Sequence, residues 1–386
     1  MSGQDIVVIG AGMAGAAVAA HLAEHARVRL LEMEAQPGYH STGRSAAVFF
    51  EAYGSEQVRA LTRASRSFLY APPTNFCAER LVRPRGILLA ARHGQEPALR
   101  QILSAAVPMD ELREMTALET TRAHPVLRVD GLIGGVYTER CADIEVNELH
   151  RGYLRLLHSR KGTLSKHTEV TGLERLSDKW LINTGRGSLR ADIVVNAAGA
   201  WADAIAKLAG LTGVGLQPLK RTACLIPAPA GQRSDAWPML VDVEETFYLK
   251  PDAGALLLSP ADETLTAPGD AQADDLDVAV AVSRLEEATT LNVERVTHQW
   301  AGLRSFVQDR TPVVGFDPIA PGFFWVAALG GYGIQTAPAV SRLAASLALG
   351  LEPDESLIEQ GVMPSAFTPR RLTQVSESIT RHGNPP

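Results

Sequence analysis

The first stretch of this sequence able to do chemistry is Gly10-Ala11-Gly12-Met13-Ala14-Gly15, and the chemistry is phosphate binding. Gly10 suits a tight turn, Gly12 lets the backbone approach a pyrophosphate, and Gly15 allows close helix–strand packing. A helix opening at Met13 and Ala14 presents unpaired N–H groups and partial positive charge to the diphosphate. Glu32 stands about 20 residues on, where an acid can accept hydrogen bonds from both ribose hydroxyls. It would repel a 2′-phosphate, which disfavours NADP. The elements that must hold these residues are in register. Ile6-Val7-Val8-Ile9 is a β-branched run without alternation, as in a strand buried on both faces of a parallel sheet. Ala16 to Ala23 reads as helix and Val28-Arg29-Leu30-Leu31 as the second strand. The pattern is therefore a complete βαβ dinucleotide unit.

Three further stretches favour FAD over NAD. Gln36 to Ala47 is rich in glycine and hydroxyls, and its Ser41, Thr42, Gly43, Arg44, Ser45 and Ala46 can follow a long cofactor past its pyrophosphate. It is expected to lead into a small-residue helix. Ala191 to Ala202 reads as a buried strand ending in small residues, with Ala198 and Gly199 placed for close backbone approach to the cofactor, followed by a helix. Phe323 to Ala328 reads as a strand entering Leu329-Gly330-Gly331-Tyr332-Gly333-Ile334-Gln335-Thr336, a glycine turn that opens a helix toward an anion. In a flavoenzyme that anion is the charge that develops on the ring as hydride arrives.

At these motifs the whole chain resembles the FAD-dependent D-amino-acid oxidase/glycine oxidase superfamily. It is most similar to bacterial FAD-dependent D-amino-acid dehydrogenases of the D-arginine dehydrogenase type. The resemblance rests on GAGMAG with Glu32, GYHSTGRSAA at 38–47, VNAAGAWADAIA at 195–206, FYLKPDAG at 247–254, WAGLRSF at 300–306 and GGYGIQT at 330–336. It implies one non-covalent FAD per chain, with Val170, Gly330, Gly331, Tyr332, Gly333, Ile334 and Gln335 joining the residues above as cofactor contacts. His40, conceivable as a covalent flavin link, lies in a context that matches non-covalent binders. The implied reaction moves a hydride from the α-carbon of a D-amino acid to flavin N5, and the imino acid hydrolyses to a 2-oxo acid and ammonia. Arg304 and Arg221 match carboxylate-binding arginines, as the planar guanidinium fork suits. Tyr248 and Tyr53 match active-site tyrosines, Tyr53 on a loop over the site. Gly331 matches a glycine whose carbonyl meets the substrate amine. A quinone or O2 takes the electrons, and the choice between dehydrogenase and oxidase stays open.

The sequence departs from the D-arginine dehydrogenase pattern at three positions. Where that type carries a histidine, a threonine and an acid, this chain has Val48, Phe50 and Ile87. With Met239 and Val241 these form the expected side-chain pocket. A cationic side chain there would lose hydration without a counter-charge, so neutral or hydrophobic side chains are expected. The missing histidine leaves secondary amines, N-alkyl or cyclic amino acids, as alternatives. A 2-hydroxy acid and a non-catalytic flavoprotein are further alternatives.

The expected fold is α/β: a Rossmann-like FAD-binding domain plus an α+β substrate domain with a large mixed or antiparallel sheet. The FAD domain is discontinuous, from 1–80, 142–217 and 300–372. The substrate domain takes 81–141 and 218–299, and 373–386 is a polar, frayed tail. Within the substrate domain, Arg85 to Ala90, Gly131 to Tyr137 and Thr222 to Ile226 read as strands. Thr246 to Lys250 and Ala255 to Leu258 read as a hairpin around Pro251-Asp252-Ala253-Gly254. Asn147 to Arg160 and Leu276 to Thr290 read as helices. The chain has 386 residues and a net charge of −6 with scattered basic residues, which argues against nucleic acid as a partner. Three distant cysteines, Cys77, Cys141 and Cys224, show no metal-ligand spacing, and no metal is expected. The start lacks a basic region before its first strand, and no apolar stretch nears the roughly 20 residues of a membrane span. A cytoplasmic protein is expected, at most peripheral at the inner membrane face.

Overall fold

The computed structural model describes residues 3–372, so the tail at 373–386 lies outside the described residues. The apolar run at 6–9 becomes the strand Asp5–Ile9, paired in parallel with Arg27–Leu31 on one side and Ile193–Asn196 on the other. Phe323–Ala327 and Thr163–Ser165 extend the parallel run, and Val313–Phe316 adds an antiparallel edge, giving a six-stranded sheet. The helix Met13–Leu22 is alanine-rich and buried along almost its whole length. Its small side chains let Ala337–Leu349 and Val146–Ser159 pack closely on it. An antiparallel meander, Val170–Arg175, Trp180–Thr184 and Gly187–Ala191, precedes the strand Ile193–Asn196.

The second large element is a nine-stranded sheet containing Thr264–Leu265, Gln217–Pro227, Ala255–Ser259, Tyr248–Asp252, Met239–Asp242, Ile87–Arg92, Leu132–Thr138, Arg113–Thr116 and His298–Phe306. It is mixed: Met239–Asp242 and Ile87–Arg92 run parallel, and the other pairs antiparallel. Its two faces follow the period of two that strands impose. Leu88, Leu240, Leu249 and Leu258 pack into a core shared with the helix Asp275–Ala288. Ile87, Leu89, Met239, Val241, Tyr248 and Leu257 form a separate apolar layer on the other face. A small sheet, Val48–Phe50 with Cys141–Ile144 and Val82–Pro84, contributes Phe50 and Cys141 to that layer.

Two expectations need correction. No helix follows the loop at 36–44. Residues 45–47 are extended and run into the strand Val48–Phe50, because the β-branched and aromatic residues there pair with Cys141–Asp143. The boundary expected at residue 300 falls inside a strand. His298–Phe306 pairs with Gln217–Pro227 along its full length and so belongs to the nine-stranded sheet. Gln217–Pro227 itself runs well beyond the expected Thr222 to Ile226, because this pairing continues to Gln217.

Candidate active site

A cavity of about 600 Å³ opens at the carboxyl ends of the parallel strands, beside Ile9, Leu31, Ala197 and Ala327. The glycines around it have steric reasons. Gly10 has φ +96°, and a Cβ there would lie 2.6 Å from the Ala197 carbonyl oxygen. A Cβ on Gly15 would lie 1.8 Å from the Gly10 oxygen, so helix and turn touch as expected. Glu32, 7% exposed, accepts from Ala11 N–H at 2.8 Å and from Glu34 N–H at 2.9 Å, which fixes both carboxylate oxygens at the cavity wall. Met13 N–H donates to Thr42 Oγ1 at 2.9 Å, so one N–H of the helix start already has a partner.

Of the expected cofactor contacts, Gly10, Gly12, Met13, Ala14, Glu32, Ser41, Thr42, Arg44, Ser45, Ala46, Val170, Ala198, Gly199, Gly330, Gly331, Gly333 and Ile334 line this cavity. Four do not. Gly15 packs against Gly10, and Gly43 closes the loop by donating to the Gly38 carbonyl at 2.8 Å. Tyr332 turns away to pack against Tyr53 and Phe306. Gln335 reaches the other side of the wall, accepting from Phe50 N–H at 3.0 Å and donating to Thr62 Oγ1 at 3.1 Å. Arg44 lines the cavity, but its guanidinium is held by the Ala271 and Ala301 carbonyls and by Asp270.

A smaller cavity of about 100 Å³ meets the first where Ser45, Ala46, Arg221, Tyr248, Arg304, Gly331 and Ile334 line both. Beyond that junction its wall is mostly apolar, with Val48, Phe50, Ile87, Leu89, Met239 and Val241, and it also carries Tyr53, Glu245 and Gln335. The register of the large sheet brings the two arginines together, with Arg221 opposite Gly302 and Arg304 opposite Leu219. Arg221, 9% exposed, donates from Nε to the Asp262 carbonyl at 2.8 Å and lies 3.2 Å from Glu263. Burial, with Arg304 nearby, lowers its pKa. Arg304 has no hydrogen bond or ion pair among the described residues. Its guanidinium lies over Gly331, where a Cβ would come within 3.0 Å of Nη1. Tyr53 lines the smaller cavity, and its ring meets Tyr332 at 5.1 Å. Burial pushes its pKa up to about 12, so the phenol stays protonated.

A family model described as DAO, FAD dependent oxidoreductase, matches residues 5–347. The chain belongs to this family. Among its relatives, glycine oxidase of Pseudomonas aeruginosa is 30% identical over 91% of the chain and 96% of that protein. Mitochondrial dimethylglycine dehydrogenase of Mus musculus is 26% identical over 69% of the chain, which spans 33% of that longer protein. FAD-dependent oxidoreductase domain-containing protein 1 of Bos taurus is 31% identical over 41% of the chain and 35% of its own length. The chain thus spans about a third of the length of these last two. In fold, L-proline dehydrogenase from P. horikoshii superposes with a TM-score of 0.80 at 20% identity, covering 97% of this chain and 98% of that one.

FAD is the cofactor of the DAO family, and the larger cavity suits it. The Gly10 turn leaves room for a backbone-hugging diphosphate, Glu32 has oriented oxygens for a ribose, and Gly330 and Gly331 bring backbone to the junction. Several lining residues carried no separate expectation. Leu89 and Ala223 each sit two residues beyond an expected one, Ile87 and Arg221, and the period of two would have named both. Trp201 lies inside the quoted motif at 195–206. Glu245 and Ala261, with φ +56° and +54°, sit in turns where no periodicity points to them. Among the described residues no group of His, Cys, Asp and Glu could hold a metal ion, and no helix is long and apolar enough to cross a membrane.

Proposed function

We propose that this protein oxidises the α-carbon of D-amino acids with neutral or hydrophobic side chains. The observation that carries the reading is Arg304. A guanidinium enclosed by protein without a partner is costly, and a carboxylate placed at the junction relieves that cost. Arg221 adds a second cation, and Tyr248 and Tyr53 supply phenol groups beside it. A substrate clamped there projects its side chain toward Val48, Phe50, Ile87, Leu89, Met239 and Val241, six apolar residues in a cavity that Glu245 also lines. By the family resemblance, the Gly331 carbonyl meets the amine.

Bound in the larger cavity, FAD supplies the hydride acceptor. The chain's own residues orient the α-carbon and exclude water from the junction. The imino acid released would hydrolyse to a 2-oxo acid and ammonia. The assignment of D-configuration rests on the resemblance to D-amino-acid dehydrogenases at Arg221, Tyr248 and Arg304. A second reading, oxidation of a secondary amine, draws on the relative dimethylglycine dehydrogenase and on L-proline dehydrogenase, which shares the fold. It also draws on Val48, which leaves the amine end of the pocket without an imidazole.

Anaerobic mixing of the flavin-loaded protein with amino acids, read as loss of visible flavin absorbance, tests the proposal. Bleaching is expected with D-leucine, D-methionine and D-phenylalanine, and not with their L-enantiomers or with D-arginine. Bleaching by N-methylglycine or proline alone would replace the first reading with the second. Air admitted afterwards separates an oxidase, which recolours at once, from a dehydrogenase that needs a quinone.

A further inference from the structure

The two guanidiniums at the junction are not equivalent. Arg221 is backed by Glu263, whose Oε1 lies 3.2 Å from its Nη2. Glu263 is in turn gripped by Arg310, with Nη1 to Oε2 at 3.0 Å and Nη2 to Oε1 at 2.7 Å. The Arg310 hydrogen bond, aided by charge, holds the Glu263 carboxyl below its ordinary pKa. Arg310 lies 3.9 Å over the Phe306 ring, and its backbone adopts φ +56°. Glu263 and Arg310 line neither cavity, so they act on the junction from behind Arg221. Arg304 makes no such contact among the described residues, and the Glu263 charge reaches it only at longer range.

We propose that Glu263 is a specificity-determining residue: shared between Arg310 and Arg221, it offsets part of the Arg221 charge from behind, leaves Arg304 as the cavity-lining guanidinium with no bonded anion among the described residues, and thereby restricts the site to a single carboxylate. The inference rests on the carboxylate-binding reading above. A substrate with a second carboxylate meets a cation that already has an anion in contact, and beyond it apolar walls and the Glu245 carboxyl. That carboxylate loses hydration with nothing to replace it. Without the Glu263 charge, the junction holds two uncompensated guanidiniums on adjacent strands, an arrangement that suits a dicarboxylate. The Arg310 fork and its ring contact keep Glu263 in this position.

The test uses the flavin-loaded protein and two unreactive ligands, isovalerate with one carboxylate and glutarate with two, each titrated by perturbation of the flavin spectrum. Glu263→Gln is expected to raise glutarate affinity relative to isovalerate by about tenfold, the size of effect one removed charge has near a protein surface. Arg310→Gln leaves Glu263 wholly to Arg221 and is expected to weaken both ligands with no relative gain for glutarate. Both variants break the same ion pair, so loosened structure alone would move them in the same direction. A glutarate-to-isovalerate ratio that stays at the wild-type value in Glu263→Gln, or that moves equally in both variants, overturns the proposal. Wild-type protein that ignores isovalerate overturns the carboxylate reading and this inference together. Wild-type protein that binds isovalerate, with an unmoved ratio in the variant, overturns this inference alone.

Discussion

The nucleotide half of the site is assembled from consecutive chain, and the substrate half from distant pieces. Asp5–Ile9, the Gly10 turn, Met13–Leu22 and Arg27–Leu31 follow one another, and Ala11 N–H meets Glu32 within that unit. Arg221 and Arg304 share a cavity only because Gln217–Pro227 and His298–Phe306 pair, and Val48, Ile87 and Met239 come from three other strands. The consequence is a difference in tolerance. In the nucleotide half a Cβ on Gly10 or Gly15 would meet backbone well inside van der Waals distance, so a side chain has nowhere to go. In the substrate half the backbone is an ordinary sheet and the chemistry lies in side chains, so substitutions there should change what is bound before they change the fold.

Gly15→Ala tests the first side of that contrast and should have the largest effect. Its Cβ would sit 1.8 Å from the Gly10 oxygen, an atom of the backbone that cannot swing aside. The expected product is colourless protein that takes up no FAD, measured by the ratio of visible to protein absorbance. Arg304→Leu tests the other side. It should keep full flavin content and a wild-type melting temperature while kcat/KM falls about a thousandfold, the scale of losing one partner from an enclosed charged contact. Loss of flavin in Arg304→Leu would mean that the two halves are not separable.

The same contrast explains what was legible in the sequence. The glycine motif, Glu32 and the first two strands could be read directly because local spacing alone determines their geometry. Arg221, Tyr248 and Arg304 carry no local signature and could be named only through resemblance; the structure brings them to one junction. Gln335 and Tyr332, expected on the cofactor by resemblance, share the turn with Gly330, Gly331, Gly333 and Ile334, which line the larger cavity. A turn has no fixed side-chain period, and these two point the other way, toward Phe50 and Tyr53. Glu263 was invisible, since only the fold of the loop after Ala255–Ser259 sets it behind Arg221. The small-residue stretch at 45–47 failed for a different reason: helix propensity there lost to the pairing of Val48–Phe50.

Ile87→Glu should sharpen the comparison by changing selectivity inside an unchanged sheet. A carboxylate among Val48, Met239 and Val241 places a counter-charge within the apolar part of the wall, and preference should move from D-leucine toward D-arginine by about a hundredfold. Competition assays with the two substrates measure it, and an unmoved ratio would place the side chain elsewhere. His124 gives a stability counterpart in the substrate half. It is fully buried against Trp237 at 4.9 Å, both ring nitrogens lack partners, and burial lowers its pKa to about 3. The folded chain holds it neutral while the unfolded chain protonates it below about 6.5, so stability falls as pH drops through that window. His124→Phe should recover about 2–3 kcal/mol at about pH 4.5 and little at pH 8, read from denaturation at both.

Tyr53→Phe should have the smallest effect, and its direction is informative. The ring is held by Tyr332 and by the apolar wall, contacts that phenylalanine retains. Only the hydroxyl is lost, a neutral donor whose pKa of about 12 keeps it out of any titration in the working range. The expected cost is one hydrogen bond, about 1 kcal/mol or roughly fivefold in kcat/KM, with an unshifted pH profile. A larger loss confined to kcat, or a profile that moves, would mean that the phenol exchanges a proton during turnover. That outcome would put acid–base chemistry in the smaller cavity, where the proposed function asks the phenol only to orient the substrate.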